Sequence, residues 1–246
     1  MNSMSDPEGH IIVTGGASGI GAAVVENLAA RGTRVTIFDL QEAAPLPEPG
    51  KVEHIMVDVS DEAAVKAAVT AAENRFGVAT GIVTCHGIRG EFVPALDLDL
   101  GRTRTVFDVH VVGTLAVCRE VVRRLEGRPA SIVTVSSTTA FGGWEKQSDY
   151  GVAKAAVRQL TENLAIEWAP LGVRVNSVAP GHTLTPMVQE MIDGGYDAGA
   201  VFARTPLGRF ATPHEMAASI VFLLLDATFV TGQCLAVDGG WTVVGK

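Results

Sequence analysis

The stretch HIIVTGGASGIGAAVVENL, residues 10–28, constrains the fold more than any other part of the chain. A run rich in β-branched residues leads into four glycines within seven positions and then into a helical pattern, so a strand is predicted to turn directly into a helix. Glycine permits positive φ and close backbone approach, and the start of a helix presents unpaired N–H groups that attract an anion. Glycines alone are equally compatible with a tight turn that binds nothing.

The rest of the chain alternates short apolar runs with longer helical patterns, as repeated strand–helix–strand units do. Several runs are apolar at consecutive positions, which is typical of strands covered on both faces. This order predicts a single α/β domain over residues 10–246, built on a mostly parallel seven-stranded sheet flanked by helices. Strands are predicted at 10–14, 34–39, 52–59, 81–85, 130–137, 173–180 and 234–240, and helices at 20–31, 61–76, 103–126, 150–168 and 213–226. Residues 1–9 are polar and predicted to be disordered, and three prolines within 42–50 predict a loop.

Composition narrows the classes of partner. With 246 residues, 47% of them hydrophobic, the chain can bury a substantial core. A net charge of -8 without a Lys/Arg run argues against nucleic acid or an anionic membrane as partner, and no apolar run reaches the roughly 18 residues of a membrane span. The three cysteines are widely separated, which predicts neither a disulfide framework nor a metal site. We therefore expect a cytoplasmic protein that acts on a small molecule and binds no metal.

Asp39 ends the second predicted strand, 18 residues after Gly21. An acidic side chain at this position can accept hydrogen bonds from the ribose hydroxyls of a dinucleotide and would repel a 2′-phosphate. The pattern therefore favours NAD over NADP, with an ordinary loop start as the alternative interpretation.

Tyr150 and Lys154 are four residues apart on a predicted helix, so their side chains share one face. A phenol with a pKa of about 10 is a poor base at neutral pH, and a neighbouring ammonium is expected to lower that value. Tyr150 would then serve as general acid/base for interconverting an alcohol and a carbonyl. Ser137, thirteen residues before Tyr150, can hold the substrate oxygen. An isolated pair of this kind is more often an exposed surface pair.

Several motifs together resemble the short-chain dehydrogenase/reductase family in its compact one-domain form. They are TGGASGIG at 14–21, Asp39, DVS at 58–60, STTAFGGWEKQSDYGVAK at 137–154, VNSVAPGHTLTPM at 175–187 and TGQCLAVDGGW at 231–241. The resemblance covers nearly the whole chain and implies a doubly wound Rossmann-type sheet, a nicotinamide cofactor over its C-terminal edge, and hydride exchange with an alcohol or carbonyl. It also selects Ser137 rather than Ser136 as the catalytic serine.

The resemblance implies further site residues at matching positions. Lys154 should also reach the nicotinamide ribose, Asp58 and Val59 should lie against adenine, and PGHTLT at 180–185 should contact the carboxamide. The implied cofactor-binding set is Gly15, Ser18, Gly19, Ile20, Gly21, Asp39, Asp58, Val59, Gly87, Tyr150, Lys154, Pro180, Gly181, Thr183 and Thr185.

The chain departs from the family pattern at two places. FDVHVVG at 107–113 carries His110 where an asparagine is usual, so this imidazole either takes part in proton relay or is a packed histidine with one hydrogen bond. TCHG at 84–87 retains Gly87 but replaces the usual NNA with Thr84, Cys85 and His86. Cys85 is interpreted as a buried small residue, and His86 as either a tolerated substitution or part of the site.

The substrate is less constrained. Residues 186–210 mix apolar side chains with paired glycines, as a mobile lid does. Trp144, Gln147 and Met187 are the predicted pocket residues, with Phe92 and Phe141 on neighbouring loops. They favour an apolar or cyclic secondary alcohol or ketone, while Gln147 leaves a sugar or polyol open.

Two classes of function follow. The favoured one is an NAD-dependent oxidoreductase acting on a CH–OH group, and the alternative is a catalytically weak NAD-binding sensor or scaffold. The resemblance also implies a homotetramer, with the helices at 103–126 and 150–168 paired across a two-fold axis.

Overall fold

Seven parallel strands form one sheet in the order β3-β2-β1-β4-β5-β6-β7, in a computed structural model that describes residues 9–43 and 50–245. The strands are β1 His10–Thr14, β2 Arg34–Asp39, β3 Val52–Met56, β4 Gly81–Thr84, β5 Ala130–Val135, β6 Val173–Pro180 and β7 Cys234–Val237. The predicted doubly wound fold is thereby confirmed. Residues 1–8 of the predicted disordered segment and residues 44–49 of the predicted loop lie outside the described residues.

Helices cover both faces of the sheet. They are α1 Gly19–Ala30, α2 Glu62–Phe76, α3 Leu100–Phe107, α4 Thr114–Val122, α5 Tyr150–Trp168, α6 Pro186–Asp193, α7 Ala198–Arg204 and α8 Pro213–Val221. Alternate residues of β1 point to opposite faces of the sheet. Ile11 and Val13 pack with α1 and α8 on one face, and Ile12 packs with α2, α4 and α5 on the other. In the described part of the chain, every helix is too short or too polar to cross a membrane.

The order of the strands reverses at β1. Thr14, the last residue of β1, pairs with Phe38 of β2 on one side and with Thr84 of β4 on the other. The segments that leave these strands separate to opposite sides of the sheet, and a crevice opens beyond the carboxyl ends. The glycine-rich bend starts in this crevice.

The helix predicted at 103–126 begins earlier and is interrupted. Asp99 caps α3 by accepting a hydrogen bond from the Gly101 N–H, and a π-helical turn, Asp108–Gly113, separates α3 from α4. Gly113 packs against Val59, where a Cβ would lie 2.9 Å from Val59 Cγ2. The wider turn carries His110 inward, an outcome that the 3.6-residue pattern alone did not predict.

A second π-helical turn, Phe222–Asp226, ends α8 and leaves carbonyl groups that Arg174 satisfies. Arg174 lies on β6 and also donates to Ser131 Oγ at 2.9 Å. Its guanidinium donates to the backbone carbonyls of Leu223, Leu224, Ala227 and Val230 at 2.8–3.2 Å. One side chain therefore joins the sheet to the end of α8.

Arg174→Met should lower the free energy of unfolding by roughly 3 kcal/mol, because several buried carbonyls lose a charged donor. For a chain of this size the melting temperature should fall by about 6–12 °C. Arg31→Met is the matched control. Within the described residues the Arg31 guanidinium bonds to the exposed Asp226 carboxylate alone, at 3.5 Å, so its loss should cost about 0.5 kcal/mol or less. Equal melting temperatures for the two variants would contradict this role of Arg174.

Candidate active site

The glycine-rich loop folds back tightly on itself. Gly15 has a φ of +65°, and a Cβ there would lie 2.6 Å from the backbone nitrogen of His86. At Gly21 a Cβ would lie 2.0 Å from the carbonyl oxygen of Gly15, so α1 approaches the loop as closely as only glycine allows. These two glycines are therefore required by the packing of the loop itself.

The start of α1 fits an anionic group. Within the described residues, a side chain caps the N-terminus of each of α2, α3, α5, α6, α7 and α8. Ser18, the N-cap residue of α1, makes no such bond, and the first turn of α1 carries no acidic residue. The N–H groups at Gly19 and Ile20 thus remain available for a diphosphate, as expected for a dinucleotide.

Asp39 lies beside this loop. Its Oδ2 accepts a hydrogen bond from the Ala17 N–H at 3.0 Å, and its Oδ1 accepts one from the Gln41 N–H at 3.0 Å. Each carboxylate oxygen retains lone pairs for the hydroxyls of a ribose. Adenine would be met further along the edge, where Val59 is buried and Asp58 accepts two hydrogen bonds from Ser60 that lower the pKa of its carboxyl.

The structure brings the three proposed catalytic side chains together. Tyr150 and Lys154 lie on the first turns of α5, and Lys154 Nζ is 5.6 Å from the centre of the Tyr150 ring. Lys154 is buried and donates to the Val135 carbonyl oxygen at 2.8 Å. Ser137 follows β5, and its hydroxyl lies close enough to the phenol of Tyr150 to lower the pKa of that phenol. Ser136 instead donates to the Lys154 carbonyl oxygen at 2.8 Å, so its hydroxyl faces α5 rather than the phenol.

The expected direction of the Tyr150 pKa shift is wrong for this structure. Burial of the phenol raises its pKa to about 12, and the neighbouring Ser137 hydroxyl lowers it by less. Burial also lowers the pKa of Lys154 to about 8. Both groups are thus biased towards their neutral forms, because enclosing either charge in protein costs more than these neighbours return.

His110 packs against the phenol. Its ring meets that of Tyr150 edge to face, with centroids 5.4 Å apart and planes at 89°. Burial, reinforced by Lys154, lowers the pKa of His110 to about 2. The imidazole therefore stays neutral at physiological pH, which favours the interpretation of a packed histidine over that of a titrating relay.

The loop that follows β4 packs against the same region, with Cys85 and His86 half-buried. Burial raises the pKa of the Cys85 thiol to about 12, which suits a packed small residue and not a nucleophile. Thr84 is also buried, and His86 is hydrogen-bonded on both ring nitrogens. Gly87 leaves room for His110, because a Cβ there would lie 2.4 Å from His110 Cε1.

The segment after β6 lies against the glycine-rich loop. Pro180 ends β6, and Gly181 approaches Asp238 so closely that a Cβ would lie 2.6 Å from Asp238 Cα. Thr183 is buried and donates to the Gly181 carbonyl oxygen at 3.1 Å. Thr185 caps α6, and its methyl group would be 3.4 Å from a Cβ at Gly19. This segment and the start of α1 therefore form two walls of one crevice.

An aromatic cluster that the sequence did not predict lies beside these loops, formed by Trp144, His182, Tyr196, Phe210 and Trp241. Trp144 stacks on Trp241 with centroids 5.3 Å apart, and Trp241 lies 4.8 Å from His182. His182 Nε2 is 2.9 Å from the Tyr196 hydroxyl oxygen. The terminal DGGW at 238–241 was the one available signal for Trp241, because it follows the carboxyl end of β7.

Other predicted pocket residues are distributed unevenly. Met187 lies on α6 and is partly exposed, and the Gln147 backbone carbonyl accepts from the Gly151 N–H, at the start of α5. Phe141 does not lie where the prediction put it. The short 3₁₀ turn at 138–141 places its ring under the Arg158 guanidinium, whose Cζ is 4.9 Å from the ring centroid. It lines a cavity of about 660 Å³ between α5 and β7, which none of Ser137, Tyr150 and Lys154 lines.

Asp149 is a positioning group that sequence analysis missed. It is fully buried, and its carboxylate accepts hydrogen bonds from the N–H groups of Tyr150 at 2.6 Å and Glu91 at 2.8 Å. It therefore caps α5 and ties the loop after β4 to the catalytic helix. Its signal was an aspartate directly before a predicted helix.

In the described residues no group of three or more His, Cys, Asp and Glu side chains could hold a metal ion.

Comparisons with known proteins place this geometry in a family. A family model described as Enoyl-(Acyl carrier protein) reductase matches residues 15–242. A 2,5-dichloro-2,5-cyclohexadiene-1,4-diol dehydrogenase of Sphingobium indicum is 39% identical over 98% of this chain and 100% of its own. A cis-4-hydroxycyclohexanecarboxylate dehydrogenase of Sinomonas cyclohexanicum is 39% identical over 95% of this chain and 96% of its own.

A solved structure agrees with these relatives. The gluconate 5-dehydrogenase of Burkholderia cenocepacia, in complex with NADP and tartrate, superposes with a TM-score of 0.89 at 29% identity, covering 96% of both chains. Sequence and fold therefore agree along nearly the full length: the chain belongs to the short-chain dehydrogenase/reductase family, whose members use nicotinamide cofactors.

Proposed function

We propose that this protein is an NAD-dependent dehydrogenase of a cyclic or fairly apolar secondary alcohol, with Tyr150 as its general acid/base. The observation that carries the proposal is the arrangement of Ser137, Tyr150 and Lys154 beside a helix terminus without a side-chain cap. A sensor or scaffold would need the nucleotide crevice but not a buried lysine next to a phenol.

The three side chains divide the chemistry. Ser137 holds the substrate oxygen, and Tyr150 removes the hydroxyl proton during oxidation or returns it during reduction. A nicotinamide cofactor held by the glycine-rich loop, Asp39 and the segment after β6 would supply the hydride acceptor for oxidation and the hydride donor for reduction. Tyr150 has its pKa raised to about 12 by burial, so its phenolate needs positive charge nearby. Within this chain the positive charge comes from the ammonium of Lys154, which donates to the Val135 carbonyl oxygen.

Asp39 supports NAD as the cofactor. Its carboxylate is anchored to the glycine-rich loop through the Ala17 N–H, at the place where a 2′-phosphate would have to lie. The negative charge of Asp39 would repel a 2′-phosphate placed there, which would weaken the binding of NADP. One relative of known structure binds NADP, so membership of the family does not decide between the two cofactors. The preference of this chain is therefore tested separately.

The aromatic cluster supports a ring-shaped substrate. Trp144, His182 and Trp241 follow the carboxyl ends of β5, β6 and β7 and contact one another, at the edge of the sheet where Ser137 also follows β5. Flat side chains provide apolar faces that suit an alicyclic ring. Two relatives are named for cyclic alcohols, which is consistent with this class.

Self-association as a homotetramer belongs to the same proposal. Apolar side chains of α5 are exposed, with Ile166 at 78% and Val152 at 52%, and the cavity between α5 and β7 opens beside them. Light scattering should give a mass about four times the 25.7 kDa of one chain. A mass of one chain at micromolar concentration would contradict the tetramer.

A cytoplasmic, reducing location is consistent with the three free cysteines of the chain.

Purified protein given NAD and a panel of cyclic alcohols, steroids, polyols and hydroxyacyl thioesters should reduce the cofactor, with the cyclic alcohols as the better substrates. Tyr150→Phe should abolish turnover, because it removes the proton-accepting oxygen, and should preserve cofactor binding measured by fluorescence. Undiminished turnover by Tyr150→Phe would refute the assignment, and a preference for polyols would replace the substrate class.

Asp39→Ala should lower the ratio of kcat/KM with NAD to that with NADP by about tenfold or more, a change of about 1.4 kcal/mol. The reason is that the hydroxyl acceptor and the negative charge are removed together. Glu42→Gln is the matched control, since it removes an exposed charge three residues away. An unchanged ratio in Asp39→Ala would place the selectivity elsewhere.

Lys154→Met should abolish turnover and change the pH dependence of stability. Burial lowers the Lys154 pKa from 10.5 to about 8, so between these values the unfolded chain binds more protons than the folded one. The free energy of unfolding of the parent protein should therefore rise relative to that of Lys154→Met, by up to about 1.4 kcal/mol per pH unit between pH 8 and 10. Urea unfolding at several pH values measures the difference, and parallel pH profiles would contradict a buried ammonium.

A further inference from the structure

The two places where the chain departs from its family pattern meet in the structure. His86 belongs to the loop after β4 and bonds to the Val109 carbonyl of the π-helical turn at 108–113, and His110 is part of that same turn. His110 is buried and His86 is half-buried, and Lys154 acts electrostatically on both rings. Two unusual residues in mutual proximity suggest a shared task.

His86 joins the end of β1 to the π-helical turn. Its Nε2 is 3.0 Å from the Val109 carbonyl oxygen, so this nitrogen carries the proton and donates. Its Nδ1 accordingly accepts a hydrogen bond from the Thr14 hydroxyl. Thr14 directly precedes Gly15, so one end of this connection is the start of the glycine-rich loop.

His110 continues the connection to the phenol. Its ring is enclosed between Gly87, where a Cβ would lie 2.4 Å from Cε1, and the edge-to-face contact with Tyr150. Nε2 lies 2.9 Å from the Ile88 carbonyl oxygen, which holds the ring in one plane. Its exposed fraction is 2%, and within the described residues its Nδ1 has no partner.

We propose that His86 and His110 are positioning residues: with Thr14 and Val109 they form a histidine bridge that fixes the Tyr150 ring relative to the glycine-rich loop. The inference rests on the proposed role of Tyr150 as general acid/base. A phenol and a dinucleotide must be held in one geometry for proton and hydride to move together, and the bridge joins the two sites directly.

The bridge keeps its form across the physiological pH range. Burial lowers the pKa of His86 to about 4 and that of His110 to about 2. Lys154 opposes protonation of both rings, Arg102 opposes protonation of His110, and Asp39 and Asp58 favour protonation of His86 only as minor contributions. Both rings are thus neutral spacers with fixed hydrogen bonds, and neither carries the proton of the reaction.

Direct titration of the phenol tests the bridge without any substrate. The chain has two tyrosines, so in a Tyr196→Phe background the tyrosinate absorbance near 295 nm reports Tyr150 alone. His110→Asn should lower the Tyr150 pKa by at least one unit from about 12, because the smaller side chain leaves the half-buried phenol better solvated. His86→Ala should shift the pKa in the same direction, and the double variant should shift it no further than His110→Asn, since His86 acts through His110.

His10→Gln is the matched control. His10 is a buried histidine at the opposite end of β1 and has the same bonding pattern, to the Thr36 hydroxyl and the Gly77 carbonyl. We expect the His10→Gln variant to lose stability, as the His86→Ala variant does, and to leave the Tyr150 titration unchanged. Thr14→Val, which removes only the hydroxyl, provides a milder second variant if His86→Ala does not fold, and circular dichroism confirms that each sample is native at every pH used.

Turnover separates this inference from the proposed function. In a substrate-active protein, His110→Asn should lower kcat at least fivefold with little change in the KM for NAD. Turnover by Tyr150→Phe would overturn the proposed function together with the catalytic meaning of the bridge. A Tyr150 pKa unchanged in His110→Asn, or shifted equally by His10→Gln and His86→Ala, would overturn the bridge alone.

Discussion

The site depends on a single constraint, which is that all seven strands are parallel and therefore end at one edge of the sheet. The glycine-rich loop leaves β1 at that edge, Asp39 ends β2, Ser137 follows β5, and the segment from Gly181 to Thr185 follows β6. Residues far apart in the chain become neighbours without any special connection. The reversal of strand order at β1 then opens the crevice in which they meet.

Within this frame a buried charge is placed where chemistry can use it. Lys154 is surrounded by protein, and its ammonium is held by one carbonyl group of β5. The pKa values of Lys154 and Tyr150 shift in opposite directions, to about 8 and about 12, so both side chains are biased towards neutrality. This arrangement costs stability and leaves the pair responsive to charges that arrive with cofactor and substrate.

Much of the site could be predicted because it depends on short-range spacing. Tyr150 and Lys154 share a helix face because they are four residues apart, and Asp39 meets the glycine-rich loop because adjacent parallel strands end together. The contact between His86 and the turn that carries His110 could not be predicted in this way, since it joins two elements through a π-helical interruption. The stacking of Trp144 on Trp241 brings together loops almost a hundred residues apart and has no local signal.

The sequence by itself determined the alternation of strands and helices, the bend that only glycine allows, and the family to which the chain belongs. These follow from φ preferences and from periods of 2 and 3.6 residues, which act over a few neighbours. The tertiary structure alone decided that the phenol becomes less acidic, that both histidines stay neutral, and that Phe141 lines a cavity apart from the proposed catalytic residues. Burial and the distances between charges depend on how distant segments pack, and no local pattern encodes them.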